Sequence, residues 1–103
     1  MQNTPAECKS MEDVRREIDR LDNALVDLIA QRFGYVDRAW QLKANPSDAS
    51  VPWRIRQVID KVEARAKEKG LPPEMAAALW RQMIGWFVQY EEEQLAARLN
   101  NKT

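Results

Sequence analysis

Two cations lie where a helix packed along other helices should carry apolar side chains. Apolar residues recur at alternating spacings of four and three from Val14 to Leu28, and the next step of four reaches Arg32. Lys43 follows eleven residues later, which at about 100° per residue returns to nearly the same helix face. A buried guanidinium needs a carboxylate partner, because an unpaired charge is costly to bury. Arg32 and Lys43 therefore predict a groove that binds an anion.

Two further arginines extend this prediction. Arg56 follows the loop after the first helix, where it can fold back over the groove. Arg15 lies about 25 Å before Arg32 along a helix axis, too far to share a small ligand within one chain. In a dimer with antiparallel or crossed helices, Arg15 can enter the partner's groove and make the site composite. The plainer alternative is that Arg32 pairs with an internal acid, Lys43 extends to water and Arg15 is solvated.

One acid also belongs to the predicted site. Glu91 lies four residues after Phe87 and seven after Ile84, so it shares their apolar stripe. Its carboxyl group should therefore face the interior or the groove, whereas Glu92 and Glu93 belong to a solvated face.

The composition limits the chemistry of this site. The chain of 103 residues has no histidine and a single cysteine, Cys8, which removes the usual metal clusters, Ser-His or Cys-His nucleophiles and an intramolecular disulfide. Sixteen basic residues balance sixteen acidic ones, so nucleic acid is not an expected partner. No signal peptide or membrane span is visible, and we expect a cytoplasmic protein. The remaining possibilities are chemistry without a metal or cofactor, and binding without catalysis.

Three helices are predicted to position these residues. Ser10 and Asp13 indicate a capping box, and Gly70 indicates a left-handed helix stop. The helices should span about 11–44, 53–69 and 73–99, with a flexible loop at 45–52 and no strand. In the second helix the predicted apolar stripe is Ile55, Val58, Ile59, Val62 and Ala66. In the third helix the predicted buried side is Met75, Leu79, Met83, Trp86, Phe87 and Tyr90.

The first helix is too long for a compact monomer. At about 34 residues it is about 50 Å long, whereas a compact chain of this size has a radius of gyration near 13 Å. A single domain over residues 1–103 that pairs its long helix with a second copy covers the exposed length. The alternative is a long coiled coil, which two loops and four tryptophans make less economical.

The segment VRREIDRLDNALVDLIAQRFGYVDRAWQLK, residues 14–43, resembles the all-helical chorismate mutases and the related isochorismate pyruvate lyases. It follows the family pattern of an Arg, then Ile-x-x-Leu-Asp, an Arg ten residues after that Asp and a Lys eleven further on. Residues 79–94 match more loosely. The opening TPAECKSMEDVRREID is more similar to the lyase branch.

The resemblance implies an all-α intertwined homodimer with two active sites and a small-molecule dicarboxylate substrate. Arg32, Lys43 and Arg56 would come from one protomer and Arg15 from the other. These cations would hold the carboxylates of chorismate, and Lys43 would also reach its ether oxygen. The reaction is the pericyclic rearrangement to prephenate. It needs a cationic clamp that selects the reactive conformer, and no metal, cofactor or nucleophile.

Two positions depart from the family pattern. Glu91 stands where many members have a glutamine that donates to the ether oxygen, so Glu91 can donate only when protonated. Gln57 stands where classical mutases have a glutamate that binds the ring hydroxyl and the lyases have an apolar residue. Chorismate mutase is our first interpretation of the chain. The alternatives are an isochorismate pyruvate lyase or a dual activity, the amino analogue of chorismate as substrate, and a non-catalytic helical dimerisation module.

Overall fold

The computed structural model describes residues 2–45 and 51–101, and within them every regular element is helical. A 3-10 helix, Pro5–Glu7, precedes α1 (Met11–Leu42), α2 (Pro52–Glu68) and α3 (Pro73–Asn101). The prediction of an all-α chain with three helices is confirmed. The helix boundaries differ by one or two residues, and the short 3-10 helix was not predicted. Most of the predicted loop at 45–52 lies outside the described residues.

The start of α1 follows the predicted capping pattern with one change. Ser10 Oγ accepts a hydrogen bond from the Asp13 amide at 3.1 Å, which satisfies one of the free N–H groups of the first turn. Asp13 Oδ2 accepts from the amide of Lys9 at 3.0 Å, one residue before the amide used in a standard capping box. The two bonds fix where α1 begins.

The chain divides into two compact units, and the first ends at Tyr35. In this unit the predicted apolar seam of α1 is exposed, because Ile18, Leu21, Leu25 and Leu28 each keep between 49% and 60% of their surface accessible. Glu17 is the buried residue of this stretch and accepts from Arg20 Nε at 2.9 Å. A single chain therefore leaves the apolar length of this part of α1 uncovered, as the sequence predicted.

The second unit starts at Val36 and contains the α2–α3 pair. Its buried apolar residues are Ile59, Ala66, Ala76, Ala77 and Leu95. The small alanines allow the two helices to approach closely. The predicted stripe of α2 is confirmed, since Ile59 and Ala66 are buried and the other three members are half-buried.

A Schellman motif ends α2. Gly70 has a φ of 76°; its amide donates to the Lys67 carbonyl at 3.3 Å, and the Leu71 amide donates to the Ala66 carbonyl at 2.9 Å. The predicted left-handed stop at Gly70 is confirmed.

The predicted buried side of α3 was partly wrong. Met75, Leu79 and Trp86 are 45%, 55% and 64% exposed, whereas Met83, Phe87 and Tyr90 are half-buried. The reason is that α3 is apolar on two faces, and α2 packs on the face that starts with the small residues Ala76 and Ala77. The larger apolar face stays uncovered in the single chain.

Within residues 2–45 and 51–101, none of the helices combines the length and apolarity needed to cross a membrane.

Candidate active site

Lys43 and Glu91 form an ion pair that joins the end of α1 to α3. Lys43 Nζ lies 2.5 Å from Glu91 Oε2, a charge-assisted hydrogen bond between residues 48 positions apart. The side chain of Glu91 is 8% exposed and that of Lys43 is 26% exposed. A nearly buried carboxylate is therefore matched by an ammonium that still reaches solvent.

The helices explain why these two side chains meet. Glu91 lies on the stripe of α3 that also carries Ile84 and Phe87, both half-buried, and Leu95 follows one turn later with no exposed surface. Lys43 is the first residue after α1, and its amide continues the helix with a bond to the Trp40 carbonyl at 3.2 Å. The ammonium is thus presented from a helix end, toward the buried face of another helix.

Arg98 covers the carboxyl end of α1. Its guanidinium donates to the carbonyl of Gln41 at 3.2 Å, to the carbonyl of Lys43, and to the carbonyl of Ala44 at 3.5 Å. The same guanidinium lies 5.7 Å from the centre of the Trp40 ring, within the range of a cation–π contact. Arg98 therefore contacts both the last turn of α1 and the backbone of Lys43.

A second contact between α1 and α3 joins Asp37, six residues before Lys43, to Tyr90, the residue before Glu91. Asp37 Oδ1 accepts from the Tyr90 hydroxyl at 2.6 Å and from Trp40 Nε1 at 2.8 Å. The bond from Tyr90, with that from Trp40, lowers the pKa of Asp37. The bond to Asp37 raises the pKa of Tyr90, and desolvation adds to this effect. The two shifts agree, because both favour a neutral phenol donating to an ionised carboxylate.

The other four predicted site residues lie on α2 and in the first unit. Arg56 is exposed on α2, and exposed Gln57 accepts from Arg54 at 2.6 Å. In the first unit Arg15 is exposed and Arg32 is half-buried. The structure thus brings together Lys43 and Glu91, and the roles of all six residues stay predictions.

Sequence reasoning missed Asp37, Trp40 and Arg98. A signal for Arg98 was present, since it lies seven residues after Glu91 and therefore on the same face of α3 two turns later. In addition, α1 has no basic residue in its own last turn, so its terminal carbonyls need a donor from elsewhere. No comparable feature of the sequence predicted the hydrogen bonds of Asp37.

An open groove of about 340 Å³ runs along a different part of α3 and is lined by Arg81, Gln82, Gly85, Trp86 and Gln89. None of the six predicted site residues lines it. The indole of Trp86 stacks on the Tyr90 ring, with centres 6.3 Å apart and planes 8° apart.

Known proteins resemble most of this chain. The family model described as chorismate mutase type II matches residues 14–92. The isochorismate pyruvate lyase of Pseudomonas aeruginosa strain PAO1 is 31% identical over 85 residues, which cover 82% of this chain and 84% of that protein. The matched region includes all six residues that the sequence assigned to a site.

Proposed function

Because the chain belongs to the chorismate mutase type II family, we propose that it is a chorismate mutase that rearranges chorismate to prephenate. The observation that carries the proposal is the Lys43–Glu91 pair, which holds an ammonium and a carboxyl group 2.5 Å apart at a nearly buried position. An ether oxygen can accept a hydrogen bond from the ammonium of Lys43. It can also accept one from the carboxyl group of Glu91 when that group is protonated.

The proposed reaction uses this pair without transferring atoms to the protein. One carbon–oxygen bond of the substrate breaks while one carbon–carbon bond forms, and negative charge develops on the ether oxygen. Lys43 stabilises that charge as a compact cation, and the neutral acid of Glu91 donates a second hydrogen bond. In the structure Glu91 accepts a hydrogen bond from Lys43, so the ether oxygen of the substrate would have to lie between two groups that bind each other.

In the proposed site, the arginines bind the two carboxylates of the substrate. A planar guanidinium matches a carboxylate with two parallel hydrogen bonds, so Arg32 and Arg56 act as the clamp that selects the compact reactive conformer. Gln57 contributes a weaker hydrogen bond to the ring hydroxyl. Arg15 comes from the second copy of an intertwined homodimer. The support for this dimer is the exposed seam of α1, and a cytoplasmic location stays a prediction from the sequence.

A second candidate is isochorismate pyruvate lyase, forming salicylate and pyruvate. One observation favours it, the 31% identity with a protein of that name. The same clamp serves this reaction, because both substrates carry two carboxylates and an enolpyruvyl ether.

One assay distinguishes the two candidate activities. Purified protein is incubated with chorismate and, in parallel, with isochorismate from about pH 5 to pH 8, and the products are identified by mass spectrometry. Prephenate from chorismate supports the mutase, and salicylate with pyruvate from isochorismate supports the lyase.

Lys43→Ala should lose at least about 100-fold in kcat/KM on the active substrate. Arg65→Ala removes an exposed cation paired with Glu68 and should retain full activity. No turnover of either substrate would favour the non-catalytic dimerisation module.

A further inference from the structure

The carboxyl end of α1 depends on a donor from another helix. The last four carbonyls of an α-helix have no partner within the helix, and cations near that end are stabilising. The last turn of α1 has no basic residue. Arg98, more than fifty residues later in the chain, supplies the missing donors to the carbonyls of Gln41, Lys43 and Ala44.

We propose that Arg98 is a positioning residue that fixes Lys43 for catalysis by binding the backbone carbonyls of Gln41, Lys43 and Ala44. The inference rests on the proposed function, in which Lys43 stabilises charge on the ether oxygen. Arg98 acts through Lys43 and needs no contact with substrate.

Lys43 contacts α3 through both its side chain and its backbone. Its ammonium binds Glu91 and its carbonyl binds Arg98. The two partners are seven residues apart on α3, so they lie on one face and about 10 Å apart along the axis. Lys43 follows the last residue of α1, and the contact from Arg98 gives its carbonyl a donor from α3.

Arginine suits this task better than lysine. The planar guanidinium presents several donors in a fixed arrangement, and it stacks on aromatic faces. Here it reaches three carbonyls while lying 5.7 Å from the Trp40 ring. A lysine at position 98 would keep the charge beside the helix end but would offer its donors from a single atom.

The test compares Arg98→Ala and Arg98→Lys with the matched control Arg65→Ala, whose guanidinium is exposed and lies on α2. Steady-state kinetics are measured at a temperature where urea titrations show each variant to be folded. Amide hydrogen exchange of Lys43, whose N–H binds the Trp40 carbonyl, reports on the segment independently of activity.

Arg98→Ala should lower kcat about 10- to 100-fold with less than about a threefold change in KM, since small displacements of a catalytic group are costly. Arg98→Lys should recover part of kcat, and Arg65→Ala should stay within about twofold of the original protein. Exchange of the Lys43 amide should become faster in Arg98→Ala and stay unchanged in the control.

The inference is overturned if Arg98→Ala loses stability but keeps kcat per folded molecule, because Arg98 then has only a structural role. It is also overturned if kcat falls while exchange of the Lys43 amide is unchanged. Failure of the proposed function looks different, since the unmodified protein would turn over neither substrate. In that case the exchange measurement still decides whether Arg98 fixes Lys43, and only the catalytic consequence is lost.

Discussion

Lys43 Nζ and Glu91 Oε2 lie 2.5 Å apart, and Glu91 is the less exposed of the two side chains. A buried ion pair contributes little net stability, because the cost of desolvating both charges offsets their attraction. Removing one partner is far more costly, since it leaves the other charge uncompensated. The pair is therefore weak evidence for a gain in stability, although replacing either partner alone should destabilise the fold.

Replacing Glu91 by glutamine and by alanine tests the hydrogen-bond donor in the proposed mechanism. The glutamine side chain keeps a donor at this position, whereas alanine removes it. Glu91→Gln should therefore keep kcat/KM on the active substrate within about tenfold, and Glu91→Ala should lose about 100-fold, as is typical when one donor to a developing oxyanion is removed. Steady-state kinetics are the measurement. Glu92→Ala, on the exposed side of the same turn, should keep the original kcat/KM, and equal losses in Glu91→Gln and Glu91→Ala would contradict the proposal.

Mixed dimers test whether Arg15 acts across the proposed homodimer. Arg15→Ala and Lys43→Ala should each be inactive as homodimers. After the two are refolded together in equal amounts, half of the dimers are mixed and each contains one intact site, so activity should return to about 25% of the original.

The matched control for that experiment mixes Arg32→Ala with Lys43→Ala. Both residues are proposed to act in the same protomer's site, so no mixed dimer has an intact site and no activity should return. If the pair with Arg15→Ala also recovers nothing, although native mass spectrometry shows that mixed dimers form, then Arg15 does not act in trans.

The Asp37–Tyr90 bond predicts a specific acid sensitivity. Because the folded protein lowers the pKa of Asp37, its contribution to stability is present above the unfolded value of about 3.9 and is lost as pH falls through the folded value. Tyr90→Phe removes the main cause of the shift and should reduce this loss. Urea midpoints from pH 6 to pH 2 measure the effect. Tyr35→Phe, at a phenol in the 80% exposed residue Tyr35, should leave the acid dependence unchanged.

The glycine that ends α2 should not tolerate a side chain. Gly70 has a φ of 76°, and alanine in that conformation costs about 1–2 kcal/mol. Gly70→Ala should therefore lower the free energy of unfolding by about that amount. We expect the opposite change in the free energy of unfolding for Gly85→Ala, because Gly85 is helical and nothing lies within 4 Å of an added Cβ. It should stabilise by about 0.5–1 kcal/mol, and equal effects at both positions would contradict the role of φ at Gly70.

Local patterns in the sequence were enough for the helices and for part of the site. Ser10 and Asp13 marked the start of α1, and the spacing from Ile84 and Phe87 predicted the burial of Glu91. The resemblance carried by residues 14–43 is confirmed by the family match over residues 14–92. Each of these inferences depends on neighbours within a few turns of the chain, where helix geometry fixes which side chains share a face.

Contacts between distant residues were not predictable in the same way. Arg98 binds carbonyls 54 to 57 residues earlier, and this depends on where the end of α1 meets α3. The exposure of Trp86 was also missed, because α3 has two apolar faces and periodicity alone does not say which of them α2 covers. Long-range packing decided both points.

The contacts of Glu91 and Arg98 tie the two ends of Lys43 to different turns of α3. Arg98 lies seven residues closer than Glu91 to the carboxyl end of that helix, and helices fray from their ends. Unwinding of α3 from its carboxyl end should therefore release the backbone of Lys43 before its ammonium. The order in which the last turns of α3 open then decides which end of the lysine moves first.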